Sequence, residues 1–316
     1  MLLLAAGRVA MGQIDHEAME RERMRANGVE YCTQFTHKYH KGQAAPEGYK
    51  ACETRYNREG KPLEVTNYRA NGKVSSKLFF EYDGQGRRVS YRKEEPVDGK
   101  QMKVSFLQRF TYDQRGNKRS ETGYDGSARY RVVYSYLPNG KLANITRYNA
   151  DNSVAERWIY SYSGDKQLIS VTPKSGVPYQ MEKVFGRGGE LLSETTFDGA
   201  GKEQKKVEYA YGRGGRKEQE RQSYGGQLSS TQEYHYNAKG QLEKVFLQKP
   251  KQRRFVNNGY VYDPSGQLIK EEWAEGNPDQ MSSRVTEYKS GNVVRVESYY
   301  APYRYRVMYT YEYRKF

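Results

Sequence analysis

An aromatic residue that opens a glycine-containing turn recurs along nearly the whole chain, at Tyr56, Tyr82, Tyr112, Tyr136, Tyr162, Phe185, Tyr211, Tyr236, Tyr262 and Tyr288. Successive gaps are 26, 30, 24, 26, 23, 26, 25, 26 and 26 residues. A fixed period of this size constrains the fold more than any single motif, because each unit must bury its apolar face against the next copy. The turns explain the period. Tyr-Asp-x-x-Gly stands at Asp83–Gly86, Asp113–Gly116 and Asp263–Gly266, with Asn for Asp at Asn57–Gly60 and Asn237–Gly240. An Asx side chain bonds the backbone two residues on, and glycine takes the positive φ at the turn exit. Such loops join antiparallel strands. Asn139-Gly140, Gly188-Gly189 and Gly214-Gly215 mark further turns of the set.

A second set falls about midway, at Tyr68 with Asn71-Gly72, Tyr124 with Gly126, Tyr148 with Asn152, Phe197 with Gly201, and Tyr224 with Gly225-Gly226. Each repeat of ~25 residues is thus two strands and two turns. The strand entering a first-set turn alternates with period two: Tyr134/Tyr136, Tyr160/Tyr162, Tyr209/Tyr211, Tyr234/Tyr236 and Tyr260/Tyr262 share one face. Ser135, Ser161, Ala210, His235 and Val261 lie between them, so the other face is largely wet. Hydrophobic residues make up only 36% of the chain, so tyrosine rows and not an aliphatic interior form the core. About twenty strands, each twisted roughly 20° from its neighbour, cannot stay flat. The expected fold is all-β: a long antiparallel repeat meander coiled into a spiral, or a curled sheet with the tyrosine face inward, with a short N-terminal helix.

Phe110-Thr111-Tyr112-Asp113-Gln114-Arg115-Gly116-Asn117 and Tyr260-Val261-Tyr262-Asp263-Pro264-Ser265-Gly266-Gln267-Leu268 resemble the YD-repeat, or RHS-repeat, family. Asn-Gly-Lys at 71–73 and 139–141 is also similar to YwqK-type and MORN-like repeats. The resemblance implies a β-rich, exported or surface-associated bacterial protein, and in large members a shell around a toxic C-terminal domain. Here the repeats run almost to Phe316, so neither toxin nor autoprotease is carried over.

The resulting division is 1–12 as a signal-peptide remnant, 13–54 as an N-terminal helix and strand cap, and 55–316 as the repeat domain. Ala10-Met11-Gly12 supplies a small-x-small cleavage site before Gln13. Residues 14–27 are charged and helix-permissive, with Gly28 as the cap. Cys32 and Cys52 are the only cysteines and, in an exported protein, candidates for one disulfide. His37 and His40 near them have poor zinc spacing and read as exposed loop histidines, and no metal or cofactor is expected. Phe316 after Tyr309-Thr310-Tyr311-Glu312-Tyr313 invites an outer-membrane barrel. Counting back by twos gives Arg314, Glu312 and Thr310, and no lipid-facing aliphatic band exists, which argues against it.

Lys and Arg number 53 against 38 Asp and Glu, a net charge of +15. Long or proline-bearing loops fall among the second set, at Glu94–Lys100, Pro173–Pro178, Lys249–Arg254, Glu275–Gln280 and Tyr300–Tyr303, and so share one edge. Lys249, Lys251, Arg253 and Arg254, with Tyr303, Arg304 and Arg306, are the candidate binding residues. The expected partner is a protein, an anionic glycan or lipopolysaccharide at that edge, and not nucleic acid. No signature arranges Ser, His, Asp or Glu for catalysis. The reading is a non-enzymatic, exported, periplasmic or surface scaffold binding a macromolecule. The alternatives are a toxin-system component, either a shell fragment or a YwqK-like antitoxin, and a carbohydrate-active enzyme.

Overall fold

The computed structural model describes residues 15–97 and 101–316; the expected signal-peptide remnant lies outside them. Helix α1 (His16–Ala26) leads into β1 (Val29–His40), the short β2 (Gln43–Ala44), β3 (Tyr49–Tyr56), β4 (Pro62–Tyr68), β5 (Val74–Tyr82) and β6 (Arg88–Val97). There follow β7 (Gln101–Tyr112), β8 (Lys118–Tyr124), β9 (Arg129–Tyr136), β10 (Leu142–Asn149), β11 (Val154–Ser163) and β12 (Lys166–Pro173). The next six are β13 (Tyr179–Phe185), β14 (Leu191–Phe197), β15 (Glu203–Tyr211), β16 (Lys217–Tyr224), β17 (Gln227–Tyr236) and β18 (Leu242–Gln248). The last are β19 (Phe255–Tyr262), β20 (Leu268–Trp273), β21 (Ser282–Lys289), β22 (Asn292–Tyr300) and β23 (Tyr305–Lys315).

Each strand pairs antiparallel with the next, and β1 pairs with both β3 and β23. Leaving out β2, a two-residue spur on the end of β1, twenty-two strands close into a barrel. The expected spiral or curled meander is therefore corrected. The closing ladder is long, running from Val29↔Lys315 to Lys38↔Val307. A coiling sheet with that many free edge donors and acceptors satisfies them when its ends meet, and closure removes both edges. Counting only the repeats misses this, because the closing strands lie outside the turn period. Twenty-two strands at ~4.8 Å spacing give a ring roughly 34 Å across before strand tilt widens it. Extensive contacts link only neighbouring strands, so opposite walls stand apart and enclose a lumen.

The tyrosine face points inward. Tyr134 stands opposite Ile145, Ile145 opposite Trp158, and Trp158 opposite Val171, a lumenal row across four strands. The next positions out, Ser135, Asn144, Ile159 and Ser170, form the matching outer row, and Ile159 is 50% exposed. The outer wall is laced with ion pairs such as Lys77–Glu64 at 3.4 Å, Lys206–Glu208 at 2.8 Å and Lys270–Glu272 at 2.8 Å. A missing lipid-facing band thus bears on membrane insertion, not on closure: a barrel with a charged outer wall closes equally well.

The two rims are built differently. The first-set turns and the chain's C-terminus form one rim. There the Asx turns form as the sequence indicates: Asp113 Oδ1 accepts from the backbone N–H of Arg115 at 2.9 Å and of Asn117 at 2.8 Å, and Gly116 takes φ +86°. The tyrosine before each turn then spans to the adjacent strand. The Tyr82, Tyr112, Tyr136, Tyr162 and Tyr211 hydroxyls donate to the carbonyls of Pro62, Arg88, Lys118, Leu142 and Leu191 at 2.8–3.0 Å. Tyr236, Tyr262, Tyr288 and Tyr313 do the same to Lys217, Leu242, Leu268 and Val293 at 2.7–3.1 Å. Each bond joins two strands whose own turn lies at the opposite rim. Turns and tyrosines therefore alternate around this rim as one hoop. Phe185 lacks the hydroxyl, and Tyr56 donates instead to Glu20 of α1 at 2.6 Å.

Helix α1 starts at Asp15, whose side chain accepts from the Ala18 N–H at 2.9 Å, and ends before Gly28 at φ +61°. It docks inside the closing strands. Met24, 2% exposed, packs on Val29 and Tyr56, with Cys32 and Tyr313 beside them. Asn27 donates to the Gly291 carbonyl at 3.3 Å, and His16 stands 3.2 Å from Glu271.

Candidate functional site in the barrel lumen

The lumenal faces of β6 to β13 line a cavity of about 1010 Å³. Strand alternation sends Phe110, Tyr130, Tyr134, Ile145, Trp158, Tyr160 and Ile169 into it, together with the charged Lys118, Glu121, Arg147 and Lys183. Register sets the charges in order: Phe110 faces Glu121, Glu121 faces Val132, Val132 faces Arg147, and Arg147 faces Glu156.

Each charge has a local partner. Glu121, 2% exposed, accepts from the Tyr130 hydroxyl and from Gln108 Nε2, both at 2.9 Å, and Lys118 Nζ stands 3.9 Å away. Lys118 also lies over the Phe110 ring at 4.6 Å and the Tyr134 ring at 5.5 Å. Burial pushes its ammonium pKa down, with Glu121 opposing the shift. The Arg147 guanidinium covers Tyr130 at 4.7 Å. Burial pushes the Glu156 carboxyl up, against the pull of Arg147. Burial also carries the Tyr130 and Tyr160 phenols to about 12, so both remain neutral hydrogen-bonding groups across the physiological range.

Tyr134 is different. It is 8% exposed, and its hydroxyl, shielded from solvent, has no hydrogen-bond partner. Leaving such a group unpaired costs about 1–3 kcal/mol. Among the described residues the Trp158 and Tyr160 rings carry no overlying cation, unlike Phe110, Tyr130 and Tyr134.

The sequence-predicted residues lie elsewhere. Lys249–Arg254 joins β18 to β19, Tyr303 and Arg304 join β22 to β23, and Arg306 stands near the start of β23, all at the second rim. The β20–β21 loop separates them, so they do not form one site. Arg254 is already engaged: it pairs with Glu233 at 2.5 Å and covers Phe246 at 3.9 Å. Lys249 Nζ reaches the Gly276 carbonyl at 3.5 Å, and Arg306 lies 3.8 Å from Glu297. Lys251, Arg253, Tyr303 and Arg304 are exposed, Tyr303 by 80%.

Cys32 and Cys52 face the lumen on adjacent strands and are free thiols in the structure. Burial pushes the Cys32 thiol up to about 12. His37, expected in an exposed loop, is instead 6% exposed in β1 and bonds the Ala45 carbonyl and Thr310 Oγ1, each at 2.9 Å. Among the described residues no group of His, Cys, Asp and Glu is arranged to hold a metal, and no helix is long and apolar enough to cross a membrane.

Sequence reading missed Glu121, Tyr134, Arg147 and Trp158 as a set. The available signal was phase: Glu156, Trp158, Tyr160 and Tyr162 are two apart, so the charge shares the tyrosine face.

No family model matches the chain, and no curated protein matches it. Among solved structures it is similar to a porin-like protein from Bacteroides uniformis, with 11% identity over 90% of this chain and 98% of that one, at a TM-score of 0.29. A porin-like protein from Bacteroides vulgatus aligns at 12% identity over 91% of this chain and 99% of that one, with a TM-score of 0.24. The Photorhabdus luminescens Tc holotoxin pore aligns at 14% identity and a TM-score of 0.24; the chain covers 19% of that protein, with 81% of its own length aligned.

Proposed function

We propose that this chain is a non-enzymatic, exported bacterial scaffold that binds a glycan chain along its lumenal tyrosine wall. The uncovered Trp158 and Tyr160 rings on the wall of a large polar–aromatic cavity carry the reading. A sugar ring offers an apolar C–H face, which suits the uncovered Trp158 and Tyr160 rings, and hydroxyls that both donate and accept. Such hydroxyls match a wall that mixes Glu121 and Glu156 with Lys118 and Arg147. A polyphosphate would meet those two carboxylates and gain less. The Glu121 carboxylate, held by Tyr130, Gln108 and Lys118, has the bonding of an anchored structural anion and not of a proton-transfer group.

The test is calorimetry and glycan-array binding of wild type, Trp158→Ala and Tyr134→Phe. Binding should fall at least about tenfold for Trp158→Ala. Tyr134→Phe should bind as wild type yet melt higher, because it removes a buried unpaired hydroxyl worth about 1–3 kcal/mol. Unchanged glycan binding by Trp158→Ala, or none by wild type, would sink the proposal.

A further inference from the structure

The first rim carries a nearly single-signed ring of charge. Arg58, Arg115, Lys141, Arg187, Arg213 and Lys239 each stand exposed in a different turn. Against them only Glu59 and Asp165 are exposed acids within these turns. The aspartates that open turns are turned back on the backbone: Asp83 accepts from Arg87 N–H at 2.9 Å, and Asp263 from Gln267 N–H at 2.8 Å. Their charge is spent within the turn, while the cations stay exposed, Arg115 and Lys239 reaching along the rim to the Pro138 and Pro264 carbonyls at 3.1 and 2.7 Å.

Turns recur every second strand, so cations on adjacent turns, such as Arg187, Arg213 and Lys239, stand ~10 Å apart around the mouth. That is near the Debye length at physiological salt, so their fields overlap. The turns are also short and mostly built alike, with the same paired backbone bonds at Asn57, Asp83, Asp113, Leu137, Gly186, Gly212, Asn237 and Asp263. Exposed apolar groups punctuate the same rim: Phe316 is 48% exposed beneath the Arg58 guanidinium, and Leu137 is 36% exposed.

A linear polyanion can touch only an arc of such a ring. A flat anionic surface meets every turn at once and also receives Phe316 and Leu137 at its interface. We propose that the first rim docks this barrel, mouth down, onto an anionic lipid bilayer surface without spanning it. This is independent of what the lumen binds. Docking places one mouth against the lipid and leaves the variable loops of the second rim facing the solvent.

Vesicle flotation tests it, with phosphatidylcholine vesicles compared with vesicles also holding phosphatidylglycerol. Wild type should float only with the anionic vesicles, and high salt should release it. Lys141→Gln, Arg187→Gln, Arg213→Gln and Lys239→Gln together should weaken binding at least about tenfold, each cation near a charged bilayer counting for several-fold. Lys73→Gln, Lys174→Gln, Lys251→Gln and Arg253→Gln make the same charge change at the second rim and should leave binding within about twofold. Circular dichroism and melting confirm that both variants fold. Equal loss by the two variants would reduce the effect to net charge and overturn the proposal. So would flotation with neutral vesicles, or binding of single-stranded nucleic acid or heparin without anionic vesicles.

Discussion

The two rims of one barrel solve the same problem in opposite ways. Every strand end must be joined to a neighbour, and turns alone join only alternate pairs. At the first rim tyrosine hydroxyls bridge the remaining pairs except at Phe185 and Tyr56, and turn length hardly varies. At the second rim the aromatic residues before turns form no such hoop; the Tyr124 hydroxyl, for instance, donates within its own turn to Gly126 at 2.9 Å. Its loops vary in length, take positive φ at Asn152, Lys251, Glu275 and Arg304, and carry both charge signs, as at Lys251 and Asp279. A hooped rim fixes the circumference. An unhooped rim is free to vary its loops, which is where repeat proteins place changing contacts.

The sharpest way to break this contrast is glycine. Gly60 and Gly72 have nearly the same backbone, φ +75° and +78°, at opposite rims. A Cβ at Gly60 would stand 2.1 Å from the Arg21 carbonyl of α1, whereas one at Gly72 meets nothing within 4 Å. Gly72→Ala should therefore cost only the backbone term of about 1 kcal/mol. Gly60→Ala should cost roughly 3 kcal/mol or more and release the helix, seen as lost exchange protection over residues 16–26. Equal melting points would show that the helix does not brace this rim.

The hoop itself comes next. Tyr262→Phe removes one hydroxyl-to-carbonyl bond at 2.8 Å and should cost about 1 kcal/mol in urea denaturation. Tyr124→Phe removes an exposed bond at the other rim and should cost well under about 0.5 kcal/mol. If both cost the same, the first-rim tyrosines are ordinary packing residues and not a hoop.

The strands and turns were legible because each is fixed locally: Asx side chains, glycines at positive φ and period-two aromatics act within a few residues. Closure was not. It depends on Val29–Lys38 meeting Val307–Lys315, segments at opposite ends of the chain whose own pattern carries no turn signal. The direction of the tyrosine face followed from that closure, and with it the lumenal site. Trp158 and Arg147 join Glu121 and Lys118 in one site only because the wall curves to bring β8, β10 and β11 around one cavity. The basic loop at 249–254 was conspicuous in sequence because its charges are contiguous. The first-rim ring is spread at most one named cation per repeat, so no local window shows it.

Acid separates turn chemistry from rim position. Hydrogen bonds hold the Asp83, Asp113 and Asp263 carboxyls below their usual 3.8, from the Arg87, Asn117 and Ser265 side chains first and from backbone N–H groups next. A depressed folded value means that these bonds stabilise above the unfolded value and weaken as pH falls through the folded one. Amides of Arg87, Asn117 and Gln267 should lose exchange protection below about pH 3.8. Those of Lys61 and Gln241, held by Asn57 and Asn237 at 3.0 and 2.9 Å, should not. Simultaneous loss in all five turns would point to global acid unfolding and remove the local assignment.

The smallest effects belong to the second rim, and they decide whether its basic loop is structural. Arg254 leaves the loop to pair with Glu233 at 2.5 Å, lies over Phe246 at 3.9 Å, and has His235 at 3.0 Å. The pair is solvent-exposed on the outer wall, so screening limits it, and the ring contact adds a similar small amount. Arg254→Gln should thus cost about 0.5–1 kcal/mol, less at high salt. Lys251 and Arg253 project from the same loop, Lys251 at φ +61°. Lys251→Gly relieves a left-handed backbone at a non-glycine residue, and it should leave stability unchanged or raise it by a few tenths of a kcal/mol. Arg253→Gln should do nothing measurable. Urea melts of the three single variants at low and high salt check the order. A cost at Arg253 equal to that at Arg254 would mean that the whole loop is folded onto the wall, and the second rim would then be no freer than the first.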